Sequence, residues 1–426
     1  MPRYEKRTAK GVDFIDVRIH DKTIHASSSA AKGKSKATKH GSVRMAQARF
    51  RVAIEAAKKK GFEHVSKFHT PVENPKLEQE IFQHPDDDAL RVIYGDWLHE
   101  QGDPRGELIA VQHKLRGVTG SRATALPRRE RTLLADHSSI WYGTLDEILH
   151  ERSYADQPHV RAVWRLGFFD EVEVRHTEGP WGPPSAHAVS LSVGQFGVMD
   201  RLKMSEIVKT LSQLHSARFV TRLILGGMAN DYVPALKILA TGWPRTLRSF
   251  TITGTLGGES TPKEHRLGSL AAFCKAHPQL EQLTLMLKKE RPGTLALPRL
   301  RELALLNSGH GLSKNQLDDV LANRWPALHS FELDIGRTQL EPSTLQALFS
   351  SKLFPQLEML RLGWLPDADY ASAVATLLRE STLFKQLRDF VICGPDWSDH
   401  QQELLPVVAK ALAGTHVTVT TAGREN

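Results

Sequence analysis

Five carboxylates crowd one stretch of the chain: Asp86, Asp87, Asp88, Asp96 and Asp103. Such a group could hold a divalent cation or share acid and base duties. Their positions suggest a plainer role. Asp86-Asp87-Asp88 precedes Leu90, Ile93, Tyr94, Trp97 and Leu98, which are spaced as one face of a helix. Asp103 precedes Pro104. In both places a carboxylate caps a helix N-terminus. Arg91 and Arg105 are expected to pair with Asp96 or Glu107. Other reactive residue types are dispersed. His64 and His69 lie five apart, and His310 stands between Gly309 and Gly311, with no cysteine at ligand spacing. Cys274 falls in a helical stripe and Cys393 at a strand end, and neither has a base beside it in sequence. The chain holds no phosphate loop, dinucleotide fingerprint, His-Glu-x-x-His or Gly-x-Ser-x-Gly pattern. The expectation is a protein that is not an enzyme and has neither cofactor nor metal.

A different chemistry is offered by Lys32, Lys34, Lys36 and Lys39, which could contact a phosphate backbone. They belong to the basic end of the chain. Residues 1–66 hold 16 Lys and Arg against 6 Asp and Glu, while the remaining 360 hold 40 against 42. An acidic partner should therefore meet the first segment. A lysine run without aromatic or arginine base contacts carries little sequence specificity. Weak nucleic-acid binding there is the alternative function.

The elements that position these residues follow from a recurring phrase: an apolar residue, two residues, a second apolar residue, one residue, a third. It occurs as Val220-Leu223-Leu225, Leu247-Phe250-Ile252, Leu280-Leu283-Leu285, Leu300-Leu303-Leu305, Leu328-Phe331-Leu333, Leu357-Leu360-Leu362 and Leu387-Phe390-Ile392. The starts are 27, 33, 20, 28, 29 and 30 residues apart, within or near the range of about 20–29 for leucine-rich repeats. Proline stands before most phrases, and helical stripes such as Leu317-Val320-Leu321 and Leu345-Leu348-Phe349 lie between them. The expected fold class is α/β: a leucine-rich-repeat solenoid of parallel inner strands and outer helices. The unit from Leu280 to Leu300 is too short for a helix. Strand alternation turns the positions between the leucines toward the hollow. Thr284, Glu302, Glu332, Asp334, Arg361 and Asp389 are thus the candidate protein-binding residues, with an acidic cluster suited to a partner bearing a basic segment.

Ahead of the array, Phe14–Ile19 and Thr23–His25 read as a hairpin, Ala30–Gly41 as a loop and Val43–Lys60 as a helix. With Lys32-Gly33 and the closing Lys60-Gly61-Phe62-Glu63, this order resembles the WGR-type module of poly(ADP-ribose) polymerases and many bacterial proteins. Ala26-Ser27-Ser28 stands where the family has Trp-Gly-Arg, so the DNA contacts of that tryptophan and arginine have no counterpart. Asp88–Leu98 (DALRVIYGDWL) and Glu100–Ala110 (EQGDPRGELIA), followed by Trp164–Val172 (WRLGFFDEV), resemble the bacterial repeat-companion domain, which implies a leucine-rich array beside it and no defined activity. The implied division is a basic α+β module at 1–66, a linker at 67–78, a helical domain at 79–155, and an array with a capping unit at 156–426. Trp164–Val174 is expected as a first edge strand, Gly179–Pro184 as a loop and Val189–Leu191 as a further strand. No apolar run is long enough to span a bilayer, no apolar leader follows Met1-Pro2-Arg3, and the two cysteines are far apart. A cytoplasmic protein that does not enter the membrane is expected, and the oligomeric state is open.

Overall fold

The computed structural model describes residues 3–9, 11–20, 23–32, 34–41, 43–117, 125–146, 160–175, 203–226, 232–253, 267–287, 290–307, 311–335, 340–363, 365–394 and 399–423. The loop at 179–184, the strand at 189–191 and His310 lie outside them. The chain is mixed α/β and divides into two compact units.

The first unit comprises Met1–Arg175, Glu206–Thr221 and Pro244–Thr246. Its first sheet is antiparallel: β1 (Arg3–Thr8), β2 (Gly11–His20), β3 (Thr23–Ser28), β4 (Lys36–Lys39) and β5 (Glu63–His64), in the order β4-β3-β2-β1-β5. Helix α1 (Val43–Lys59) covers it. Ala46, Phe50 and Ile54 recur at helical spacing and meet Tyr4, Val17 and Ile24 in one core. Two differences from the sequence reading arise here. The lysine-rich segment expected as loop contains strand β4, and a strand, β1, precedes the hairpin. Pairing of Ile24 with Thr38 and of Thr23 with Lys39 draws β4 onto β3, a contact that local composition does not announce.

Helices α2 (Pro75–Gln83), α3 (Asp88–Glu100), α4 (Pro104–Gly117), α5 (Ala125–Trp141) and α6 (Met204–Gln213) follow. Segment 67–78 is not wholly a linker, because α2 begins within it and Glu78 is buried. Helices α3 and α4 cross at glycines: a Cβ on Gly106 would lie 2.5 Å from His99 N and 2.6 Å from Gly95 O. The Trp164–Val174 stretch is a hairpin rather than one strand, with β6 (Val160–Arg165) antiparallel to β7 (Phe168–Arg175). Leu166 (φ 46°) and Gly167 (φ 77°) turn it, the positive-φ pair that a two-residue hairpin requires. Leu166 and Phe168 then join Ile81, Tyr94, Leu98, Ile109 and Phe219 in the helical core.

In the second unit eight strands of the larger sheet follow one another in chain order: β8 (Arg222–Gly226), β9 (Ser249–Thr253), β10 (Gln282–Met286), β11 (Glu302–Leu306), β12 (Ser330–Asp334), β13 (Met359–Gly363), β14 (Asp389–Gly394) and β15 (Thr418–Gly423). Every pair among them is parallel. Helices α7 (Val233–Leu239), α8 (Ala271–Ala276), α9 (Lys314–Leu321), α10 (Pro342–Phe349), α11 (Ala368–Arg379) and α12 (Asp399–Ala411) make all the crossovers but one. The exception joins β10 to β11, where the described residues form no helix and Leu295 and Leu297 fill the core instead. The apolar phrases align across the sheet: Leu223, Phe250, Leu283, Leu303, Phe331, Leu360 and Phe390 are successive partners. Each is 1% exposed or less. A strand two-sided in pattern, with its apolar side against helices, gives this alternation.

Candidate functional site

The face opposite those buried residues carries the polar positions in matching rows. Gln282, Glu302, Ser330, Met359 and Asp389 are neighbours across one row, and Thr284, Ala304, Glu332 and Arg361 across the next. A depression of 420 Å³ lies over them, with Arg222 and Arg361 among its lining residues. Thr284, Glu302, Glu332 and Arg361 all line it. Glu302 is exposed and the other three are half-buried. Arg361 Nε donates to Met359 Sδ at 3.1 Å, which lays the guanidinium along the strand. Asp389 sits on β14, beyond Met359 and outside the lining.

Asp334 departs from the expectation. Alternation turns it toward the hollow, yet it is fully buried. Its Oδ2 accepts the Asn307 N–H at 2.8 Å and its carbonyl accepts the Leu312 N–H at 3.0 Å. The carboxylate serves as a backbone acceptor for Asn307 and is buried away from the exposed face. Arg222 is the charged lining residue missed in the sequence. The signal was present, because Arg222 precedes Leu223 as Ser249 precedes Phe250.

The four lysines are all exposed. Lys32 lies in a turn at φ 49°, and Lys36 and Lys39 bracket β4. Three residues apart on a strand, those two point to opposite faces of the sheet. Lys36 and Lys39 therefore cannot both lie on one phosphate-binding face.

Three of the five carboxylates of the helical region, Asp87, Asp88 and Asp103, are taken up by structure. Asp87 Oδ1 accepts the Ala89 N–H at 2.9 Å and caps α3. Asp88 pairs with Arg165 at 2.7 Å and with Arg116. Asp103 accepts the Arg105 N–H at 2.9 Å and its guanidinium at 2.5 Å, both side chains buried. Burial pushes the Asp103 carboxyl up, and the Arg105 guanidinium overrides it, leaving the group below its usual range. The expected pairings of Arg91 and Arg105 with Asp96 or Glu107 are thus replaced. Arg105 turns to Asp103, Glu107 pairs with Arg129 at 2.6 Å, and Arg91 is buried under Phe219 with one bond to Pro85 O at 3.4 Å. Arg105 also contacts His215 Nδ1, whose Nε2 lies 3.3 Å from Glu78 Oε1. Tyr94 Oη donates to the same oxygen at 2.8 Å. This chain of buried groups ties α2, α3 and α4 to the turn at His215–Ala217.

Neither cysteine offers a nucleophile. Both are buried and neither is in a disulfide, and burial pushes the Cys274 thiol up to about 12. Among the described residues no three His, Cys, Asp or Glu side chains gather as a metal site. No described helix is long and apolar enough to cross a membrane.

No family model matches the chain, and no curated protein matches it. Among solved structures it is similar to a crystal structure of a Bacteroides fragilis protein, at 12% identity and a TM-score of 0.38, covering 100% of this chain and 97% of that one.

Proposed function

We propose that this chain is a non-enzymatic interaction scaffold whose leucine-rich-repeat solenoid holds a protein partner on the exposed face of β10–β13. The observation supporting this reading is the shared register, which gathers Thr284, Glu302, Glu332 and Arg361 around one depression. Such a surface is extended, mixed in charge and rich in groups that bond to peptide. A partner with a basic segment would find Glu302, Glu332 and, one strand on, Asp389. In this reading the helices and the β6–β7 hairpin form a repeat-companion domain, and the first sheet forms a degenerate WGR-like module. The alternative, nucleic-acid binding at the basic end, has four exposed lysines in its favour and the opposite faces of Lys36 and Lys39 against it.

The test is capture of partners from a lysate of the source organism with the wild-type chain and a Glu302→Lys/Glu332→Lys variant. Reversal of two rim charges should weaken capture by about ten-fold or more, through repulsion and lost pairing. Its circular dichroism spectrum should keep the wild-type shape, which shows that the fold survives the change at half-buried Glu332 beside Arg361. Equal recovery by both proteins would move the site off this face.

A further inference from the structure

We propose that β15 is an assembly edge, along which a second copy of this chain pairs antiparallel across a two-fold axis. In the sheet order β15 stands at one end, next to β14 alone among the described strands. The direction of its backbone groups follows from one bond. Thr418 N donates to Arg388 O at 2.8 Å, so Thr418 faces β14. Alternation sends the N–H and C=O of Thr420 the same way, and those of Val419, Thr421 and Gly423 outward.

Proteins blunt such edges with short strands, lysine or proline. This chain does so in its first sheet. There one edge is the two-residue β5, and the other is the four-residue β4, which carries Lys36 and Lys39. At β15 the opposite holds. Its sequence is Thr-Val-Thr-Thr-Ala-Gly, without charge or proline, and its six residues exceed the five of β8 to β13. β-Branched residues at four of the six positions favour the extended form.

The occupant that fits is the chain itself. A two-fold axis through Thr421 sets Val419 against Gly423 of the copy and Thr421 against its equivalent. The outward groups of both strands then exchange about six hydrogen bonds. The axis also opposes each residue to one from the same strand, so a charged edge would face its own charge and be repelled. β15 has no charge to oppose. The inference does not depend on the partner proposed for the depression, because the edge and the face use different groups.

The test is sedimentation of the full chain across the micromolar range, for the wild type and for Thr421→Pro. Proline there removes one outward N–H and leaves the inward ladder, so the melting temperature should match the wild type once both are diluted to single chains. The wild type should approach twice the 47.6 kDa chain mass, and the variant should associate at least about ten-fold more weakly. Thr421→Lys is the second variant. It puts like charges across the axis, and its defect should shrink in high salt. Amide exchange in the β15 peptide should slow with concentration in the wild type only. A wild-type chain that stays single, or pairing that survives both substitutions, would overturn the proposal. So would pairing that Glu332→Lys abolishes and Thr421→Lys spares, which would place the contact on the other face.

Discussion

His64 is 3% exposed, with its ring edge-on to Tyr4 and Nδ1 2.8 Å from Ser66 Oγ. Burial drives it down to about 4, with Lys58 adding to the effect and Asp146 opposing it. Unfolded, the imidazole takes its proton near 6.5. The folded value is the lower one, so the unfolded chain binds the proton first. The neutral ring's contribution is whole above pH 6.5 and is lost as pH falls toward 4, by up to about 3 kcal/mol. Urea midpoints should drop across that window, and His64→Gln should flatten the slope. An unchanged slope in the variant would assign the loss to another group. Asp103 makes the second prediction at this scale. Asp103→Ala leaves the Arg105 guanidinium buried without its carboxylate, and thermal unfolding should show a loss of about 3–5 kcal/mol. A loss below 1 kcal/mol would mean that His215, the other contact of Arg105, suffices to hold that charge.

Helix α4 carries two glycines with opposite expectations. A methyl on Gly106 would meet the backbone of α3, which cannot retreat as a side-chain tip could. Gly106→Ala should therefore force α3 and α4 apart at a cost of about 3 kcal/mol. Gly117 ends the same helix with nothing within 4 Å of its Cβ position. Gly117→Ala should be neutral or raise stability by up to about 1 kcal/mol, since alanine gives up less backbone freedom. Melting curves of the two variants shifting together would refute the crossing as the cause. Helix positions were legible from apolar spacing, as Leu317 and Val320 in α9 and Leu345 and Leu348 in α10 show, both pairs buried. The crossing was not, because Gly106 reads in sequence only as a weak helix former.

For the molecule as a whole, charge is the property that sequence distributes and folding arranges. The excess of base in residues 1–66 is real, but two of the lysines singled out for phosphate contact, Lys36 and Lys39, point to opposite faces of the sheet. Titration of the full chain with a short DNA duplex should therefore give weak binding, with log K against log salt no steeper than about −2, as for roughly two phosphate contacts. A slope near −4 would mean that all four lysines engage one backbone. The depression on the second unit holds Glu302 and Glu332 with Arg222 and Arg361, so it offers a partner both signs of charge. A partner held there should be selected by the pattern of charges more than by net attraction.

Sequence alone determined the buried side of seven parallel strands, because period-two alternation is a local property and each phrase states which residues must leave water. It also determined the capping by Asp87 and Asp103, since a cap and its donors lie within a few residues. Tertiary structure decided the rest. Asp334 became an internal acceptor only when the backbone N–H groups of Asn307 and Leu312 came against its strand end, and β4 became a strand only when β3 came alongside. Arg105 settled on Asp103 and His215 instead of Asp96 or Glu107, and Arg222 joined the depression through its neighbours in the sheet. Each outcome depends on which distant segment supplies the nearest hydrogen-bonding group, and spacing along one chain does not encode that.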